Sequence, residues 1–175
     1  MHTNIDIATM ALLKIGERPI QSFNEDSVAA QCARSLFEPT VNALLTSHPW
    51  RFASRDFDLS RTDDGDFLLP AEVLRVLRCS ASRYEIRGRR IIANATTIKI
   101  TAIVKTETTE FPPFFISCLA TRLAMEFCIP LTENQNAFNA LSEIYEVELR
   151  SAKFIDSTTD SASGLREFNL INTRY

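Results

Sequence analysis

The run Ser47-His48-Pro49-Trp50-Arg51-Phe52-Ala53 is where one periodicity stops and another begins. Before it, apolar residues recur at helical spacing. After it, they alternate with polar ones. Pro49 cannot continue a helix, and it holds His48 in extended backbone. The run carries the single Trp of the chain and one of its 2 His. Trp50 and Phe52 bring large apolar area to the point where the chain changes direction. Pro49, Trp50 and Phe52 therefore read as a structural anchor, a hinge fixed by aromatics.

Upstream, the spacing predicts two helices, at about 4–16 and 26–48. Ile7, Ala8, Ala11, Leu12 and Ile15 line one face of the first, which Asn4 or Asp6 can cap and Gly16 can stop. Asp26-Ser27 can cap the second, whose apolar face runs from Ala29 to Leu44, with a kink expected at Pro39.

Downstream, residues 52–106 read as an inserted antiparallel sheet. Phe57 and Leu59 alternate with Asp56, Asp58 and Ser60, and Leu74 and Val76 with Arg75 and Leu77. Gly88-Arg89 joins Tyr84–Arg87 to Arg90–Ala93 as a short hairpin. Ile98, Ile100, Ala102 and Val104 give the clearest period-2 face. Helices return at 112–130 and 132–155. Pro112-Pro113 opens the first of these and Pro130 ends it, and Thr132-Glu133-Asn134-Gln135 reads as a capping box for the second. In that last helix Phe138, Leu141, Ile144, Tyr145, Ala152 and Ile155 are expected inward, with Glu143, Glu146, Arg150 and Lys153 outward. The fold class is α+β: a small helical bundle of about four helices with an inserted antiparallel β-sheet, residues 1–156, and an extended C-terminal tail, residues 157–175.

Composition limits the functions on offer. A net charge of −3 over 175 residues does not suit a chain built to coat nucleic acid. No apolar run approaches ~18 residues, so no membrane span is expected. The N-terminus lacks the basic and apolar regions of a signal peptide, which points to folding in a cytoplasm. The 4 Cys stand far apart within apolar patterns and read as buried thiols. The 4 Gly are scattered, whereas a phosphate-cradling loop needs them clustered.

Candidate chemistry is sparse. His48 has no nucleophile or second base at a telling spacing, so packing is preferred to catalysis. No metal-ligand spacing occurs, and Asp63, Asp64 and Asp66 lack the closing Glu of a calcium loop. No catalytic residue, cofactor site or metal site is assigned. The basic stretch from Arg75 to Arg90 has three readings: a solvated sheet face, a contact for an acidic protein, or a nucleic-acid-binding module. Arg87, Arg89 and Arg90 are taken as a candidate assembly interface. After a polar spacer, Leu165, Phe168, Leu170, Ile171 and Tyr175 close the chain; they read as a frayed end or as a docking tail.

The pieces also stand in a telling order: Asp6-Ile7-Ala8, Ala11 to Gly16, Pro19-Ile20, Asp26-Ser27, Pro39 and Leu44-Leu45, then His48 to Ala53. Leu69-Pro70, Leu74 to Leu77, Tyr84 to Arg89, Phe111 to Phe115 and Ala120 to Ala124 follow, with Tyr145, Ala152-Lys153 and Asp156 last. In this order they resemble the tail tubular protein A family, the head-to-tail adaptors of short-tailed bacteriophages and related gene transfer agents. The resemblance covers residues 4–156. It implies a non-enzymatic virion protein that forms a closed homo-oligomeric ring of about twelve copies between the portal protein and the tail nozzle. DNA would pass through the lumen without specific binding. The apolar tail residues would then dock on the portal. Such a protein is made in the host cytoplasm and ends at the head–tail junction.

Overall fold

The computed structural model describes residues 2–158; the apolar tail from Leu165 to Tyr175 lies outside them. Helix α1 spans Asn4–Lys14 and α2 spans Val28–Ser47. Six strands follow: β1 Ser54–Ser60, β2 Phe67–Leu68, β3 Val73–Cys79, β4 Tyr84–Arg87, β5 Arg90–Ala93 and β6 Thr97–Val104. A 3-10 turn at Thr108–Glu110 leads to α3, Pro113–Thr132, and α4, Gln135–Thr158. The α+β arrangement read from the sequence is present: four helices with antiparallel strands inserted between the second and third.

The helix ends follow local chemistry, with two corrections. Thr3, not Asn4 or Asp6, caps α1. Its hydroxyl accepts the Asp6 N–H at 3.2 Å while the Asp6 carboxylate accepts the Thr3 N–H at 2.7 Å, a reciprocal capping box. Gly16, at φ 81°, lets the Gly16 and Glu17 N–H groups bond back to Leu13 and Leu12 and close the helix. Ser27 caps α2 through the Ala30 N–H, and α2 runs unbroken through Pro39 to His48, whose backbone is extended ahead of Pro49. The second correction is at the α3–α4 junction. Helix α3 continues past Pro130 because Leu131 still packs on the core, and it stops at Glu133, which takes φ 51° and donates its N–H to Ile129. Asn134, not Thr132, caps α4 by accepting the Ala137 N–H at 3.0 Å. The Thr132 hydroxyl turns back to the Cys128 carbonyl instead.

The β region divides into two three-stranded sheets, with orders β1-β6-β3 and β2-β5-β4. Strand β6 is central to the first sheet and serves two cores. Ile98, Ile100, Ala102 and Val104 face an apolar cluster with Phe67 and Ile91 of the second sheet, while Ile103 faces the helices. Strand β3 departs from simple alternation. Register shifts between Val73 and Arg75 and between Val76 and Arg78 put Leu74 and Leu77 on the helical core and Val73, Val76 and Cys79 on the other. Leu74 and Val76 therefore do not share a face, as simple alternation predicts; bulges reset the pleat.

Helix α3 packs against α1, α2 and α4, and eleven of its residues are buried. By length and composition α3 could cross a membrane, contrary to the sequence reading, but it is the core helix of this bundle. Its one fully buried hydroxyl, Thr121, donates to the Ser117 carbonyl at 3.2 Å and to Glu148 of α4 at 2.5 Å, so the apolar interior holds no unpaired donor there.

Candidate functional site

Three surfaces bear on function: the elbow after α2, the arginine-bearing hairpin, and the outer face of α4.

At the elbow Trp50 is fully buried. Its indole N–H donates to the Leu44 carbonyl at 2.9 Å, tying the elbow to the last turn of α2. Its ring lies 4.7 Å from His48, 5.2 Å from Phe115, 6.2 Å from Phe52 and 6.3 Å from Phe114. Phe52 and Phe115 are 4.9 Å apart and extend the cluster to Phe111. These spacings favour edge-to-face contact between rings. Phe52 is half-buried and Pro49 exposed, so the aromatic rings supply the packing and Pro49 supplies the backbone direction.

Asp156 completes the elbow, and the sequence reading missed it. It is 4 % exposed, and its two carboxylate oxygens accept the Arg51 N–H at 3.2 and 3.3 Å. His48 Nε2 stands 3.6 Å from the same carboxylate. A negative charge in the last turn of a helix opposes the helix dipole, so Asp156 needs these partners. The available signal was position: Asp156 follows Ala152 by four residues, on the inward face. Burial holds the His48 imidazole below its ordinary pKa, and the Asp156 carboxylate pulls the other way. Around the pair opens a cleft of about 640 Å³ that also takes in Arg78 and Leu77. Among the described residues no three acid, Cys or His side chains converge as metal ligands. Burial pushes the Cys118 thiol up to about 12, which makes it inert.

The hairpin forms as read, with positive φ confined to Gly88 (57°) in its turn, as a type II′ turn requires. Its arginines are less free than the sequence implies. Arg87 makes two 2.9 Å hydrogen bonds to Glu85, and Arg90 bonds Asp64 at 3.0 Å and Asp66 at 2.6 Å. The acidic loop is thus tied to the hairpin, and Arg90 together with the Thr62 hydroxyl holds the Asp66 carboxyl below its usual range. Arg89 donates to the carbonyls of Leu69 and Pro70, and among the described residues no carboxylate pairs with it. Arg75 is spent on the Thr46 carbonyl at 2.8 Å, and Arg78 lies in the elbow cleft. The basic stretch is therefore distributed over separate surfaces and does not form one continuous cationic groove.

The outer face of α4 is the largest departure from the sequence reading. Ile144 and Ile155, expected inward, are 47 % and 41 % exposed, and Val147 and Phe154 are 63 % and 68 % exposed. The buried side consists of Leu141, Ala152 and Asp156, with Phe138, Tyr145 and Leu149 partly covered. Helix α4 carries more apolar arc than one neighbouring helix can cover, and Ile144, Val147 and Phe154 stay exposed among the described residues.

The comparisons with known proteins bear on what covers such a face. No curated protein matches the chain. The family model described as tail tubular protein matches residues 5–163, a span that takes in both sheets and nearly all of the four helices. With that match the chain belongs to the tail tubular protein family: it is a structural protein of a phage tail, part of the virion, and it associates with other tail proteins.

Proposed function

We propose that this chain is a head-to-tail adaptor, a non-enzymatic ring subunit seated between the portal and the tail nozzle, with DNA passing through the lumen. The observation that carries the proposal is the exposed apolar stripe of α4, Ile144, Val147 and Phe154. A subunit rarely leaves three large apolar side chains in one stripe unless another surface covers them. Family membership, which implies association with other tail proteins, supports an assembly partner as what covers that stripe.

A closed ring needs two different patches on each subunit, because its contacts are heterologous. The α4 face and the β4–β5 hairpin with Arg87, Arg89 and Arg90 are two such patches. About twelve copies is the ring order we infer, portal and nozzle are the partners above and below, and the head–tail junction is the location. The segment with Leu165, Phe168, Leu170, Ile171 and Tyr175 is proposed as the portal-docking tail. The elbow with Trp50 and Asp156 is the rigid joint between bundle and sheets on which such a ring depends.

Negative-stain microscopy of the purified protein, alone and mixed with portal rings, tests the reading. Annular particles stacked coaxially on the portal are the expected result. A protein that remains monomeric beside portal rings overturns it.

A further inference from the structure

We propose that the open edge of β4 pairs with the open edge of β1 in a neighbouring copy of this chain, so that the second sheet of one subunit continues into the first sheet of the next. The inference rests on the ring reading above and names the contact that would build the ring.

Both strands end a sheet. Among the described residues β4 pairs with β5 alone and β1 with β6 alone. Each therefore presents a row of backbone N–H and C=O groups along its outer side, on which another strand can add. All four residues of β4 are exposed, Tyr84 at 43 % and Ile86 at 44 %. The register puts these two on the face that carries Ile91 and Ala93 of β5, both buried, so they form the uncovered rim of that sheet's apolar side. On β1, Phe57 and Leu59 share one face, partly buried against the apolar cluster of the two sheets, while Asp56 and Asp58 lie on the other. A groove of about 300 Å³ opens beside Arg55, Asp56 and Phe57.

The position of the two edges suits a ring. Strand β1 lies beside β2, and β5 separates β2 from β4. The open edges thus belong to opposite flanks of the strand region, as a head-to-tail contact requires.

Charge and pleat select the register. Residues directly opposite one another across an antiparallel pair share a face and interact, and like charges there repel. With Ile86 opposite Phe57, Glu85 faces Asp58; with Ile86 opposite Arg55, Glu85 faces Asp56. With Ile86 opposite Leu59, apolar meets apolar, Arg87 faces Asp58 and Glu85 faces Ser60, so no like charges meet. Asp58 has no ion-pair partner among the described residues, and Arg87 already holds Glu85 on the same face. Arg87 can then bridge its own Glu85 and the neighbour's Asp58, and the pair fixes the register.

Self-pairing of β1 is opposed, because any register centred from Asp56 to Asp58 sets aspartates opposite aspartates. The competing occupant is β4 of a second copy, which centred on Ile86 sets Glu85 opposite Arg87 twice. That contact is isologous, closes at two copies and leaves nothing to extend a ring.

The test uses the full chain on portal rings, with assembled fraction read by sedimentation and fold read by melting. Arg87→Glu and Asp58→Arg should each lower the assembled fraction about tenfold and barely move the melting midpoint, because both side chains lie at the surface. Combined in one chain, the two should restore assembly. A Glu85→Cys chain oxidised with a Ser60→Cys chain should give the mixed disulfide, with the unsubstituted chain as control for the native thiols. Single variants that assemble like the unsubstituted chain overturn the contact and leave the ring standing. A dominant Glu85→Cys self-dimer also overturns it, in favour of paired β4 strands. An unsubstituted chain that forms no ring while the mixed cross-link still appears supports the contact and overturns the ring. Neither rings nor mixed cross-link overturns both.

Discussion

Replacing Trp50 by Ala tests whether the elbow is the joint of this fold. The indole is fully buried and contacts four other rings within 6.3 Å. Deleting a large buried aromatic costs about 3–5 kcal/mol, through lost transfer free energy and the cavity left behind. The lost indole hydrogen bond adds little, because the Leu44 carbonyl keeps the Ser47 hydroxyl at 2.8 Å. Residues of α2, the elbow and α3 line the site, so neighbouring rings cannot collapse into the gap without moving one element against another. The upper half of that range is expected. Urea unfolding followed by circular dichroism measures it. With m near ~2 kcal/mol/M, the midpoint should fall by roughly 2 M. Trp50→Phe keeps most of the packing and loses the bond to Leu44, so about 1–2 kcal/mol is expected. A loss under ~1 kcal/mol for Trp50→Ala, below the usual range for a buried aromatic, would refute the elbow as an anchor.

Three further outcomes are expected. Asp156→Ala should cost about 2–3 kcal/mol, because it strips the Arg51 N–H of a charged acceptor, and Asp156→Asn should cost less; melting curves of the two variants decide it. His48 has a folded pKa below its unfolded value of 6.5, so the folded state binds its proton less readily than the unfolded state does. Stability is full above that pH and is lost as pH falls from the unfolded pKa toward the folded one, and His48→Gln should remove this part of the slope. A wild-type-minus-variant stability difference that stays flat from pH 7 to 5 would refute the His48 assignment. Removal of residues 159–175 should leave the melting midpoint unchanged, since the buried clasp at Asp156 is retained, and should weaken co-sedimentation with portal rings.

The sequence made the elements legible where one physical requirement acted alone. Proline and its predecessor settle the end of α2 whatever surrounds them, and β6 alternates because Ile98, Ile100, Ala102 and Val104 meet a core while Thr97 and Lys99 on the other face are exposed. Reading failed where two requirements competed. The β3 bulges cannot be inferred from Val73 to Cys79, because Leu74 and Leu77 are as apolar as Val73 and Val76; only the positions of the two cores assign them to faces. At the α3–α4 junction Thr132 satisfied a capping pattern locally, yet packing of Leu131 carried α3 onward and left the cap to Asn134.

Helix α4 shows why the candidate surfaces were harder to read than the fold. Periodicity identifies a helix with apolar faces, but it does not say how many neighbours that helix has. Ile144 and Ile155 were placed inward on the assumption that apolar means core, which holds for a subunit complete in itself. A tail protein associates with other tail proteins, and in the proposed assembly part of its apolar pattern answers to a neighbour. Asp156 is the converse, a charged residue on the inward face. It is tolerated because the Arg51 N–H and His48, both within the hinge run, converge on its carboxylate. The same helix therefore fixes the elbow with a buried acid and offers its exposed leucine-sized side chains outward, so any force received on its outer face passes to the joint between bundle and sheets. In the proposed ring, a subunit held at both places would transmit position from one neighbour to the next, and the rigidity of the Trp50 elbow would set how faithfully it does so.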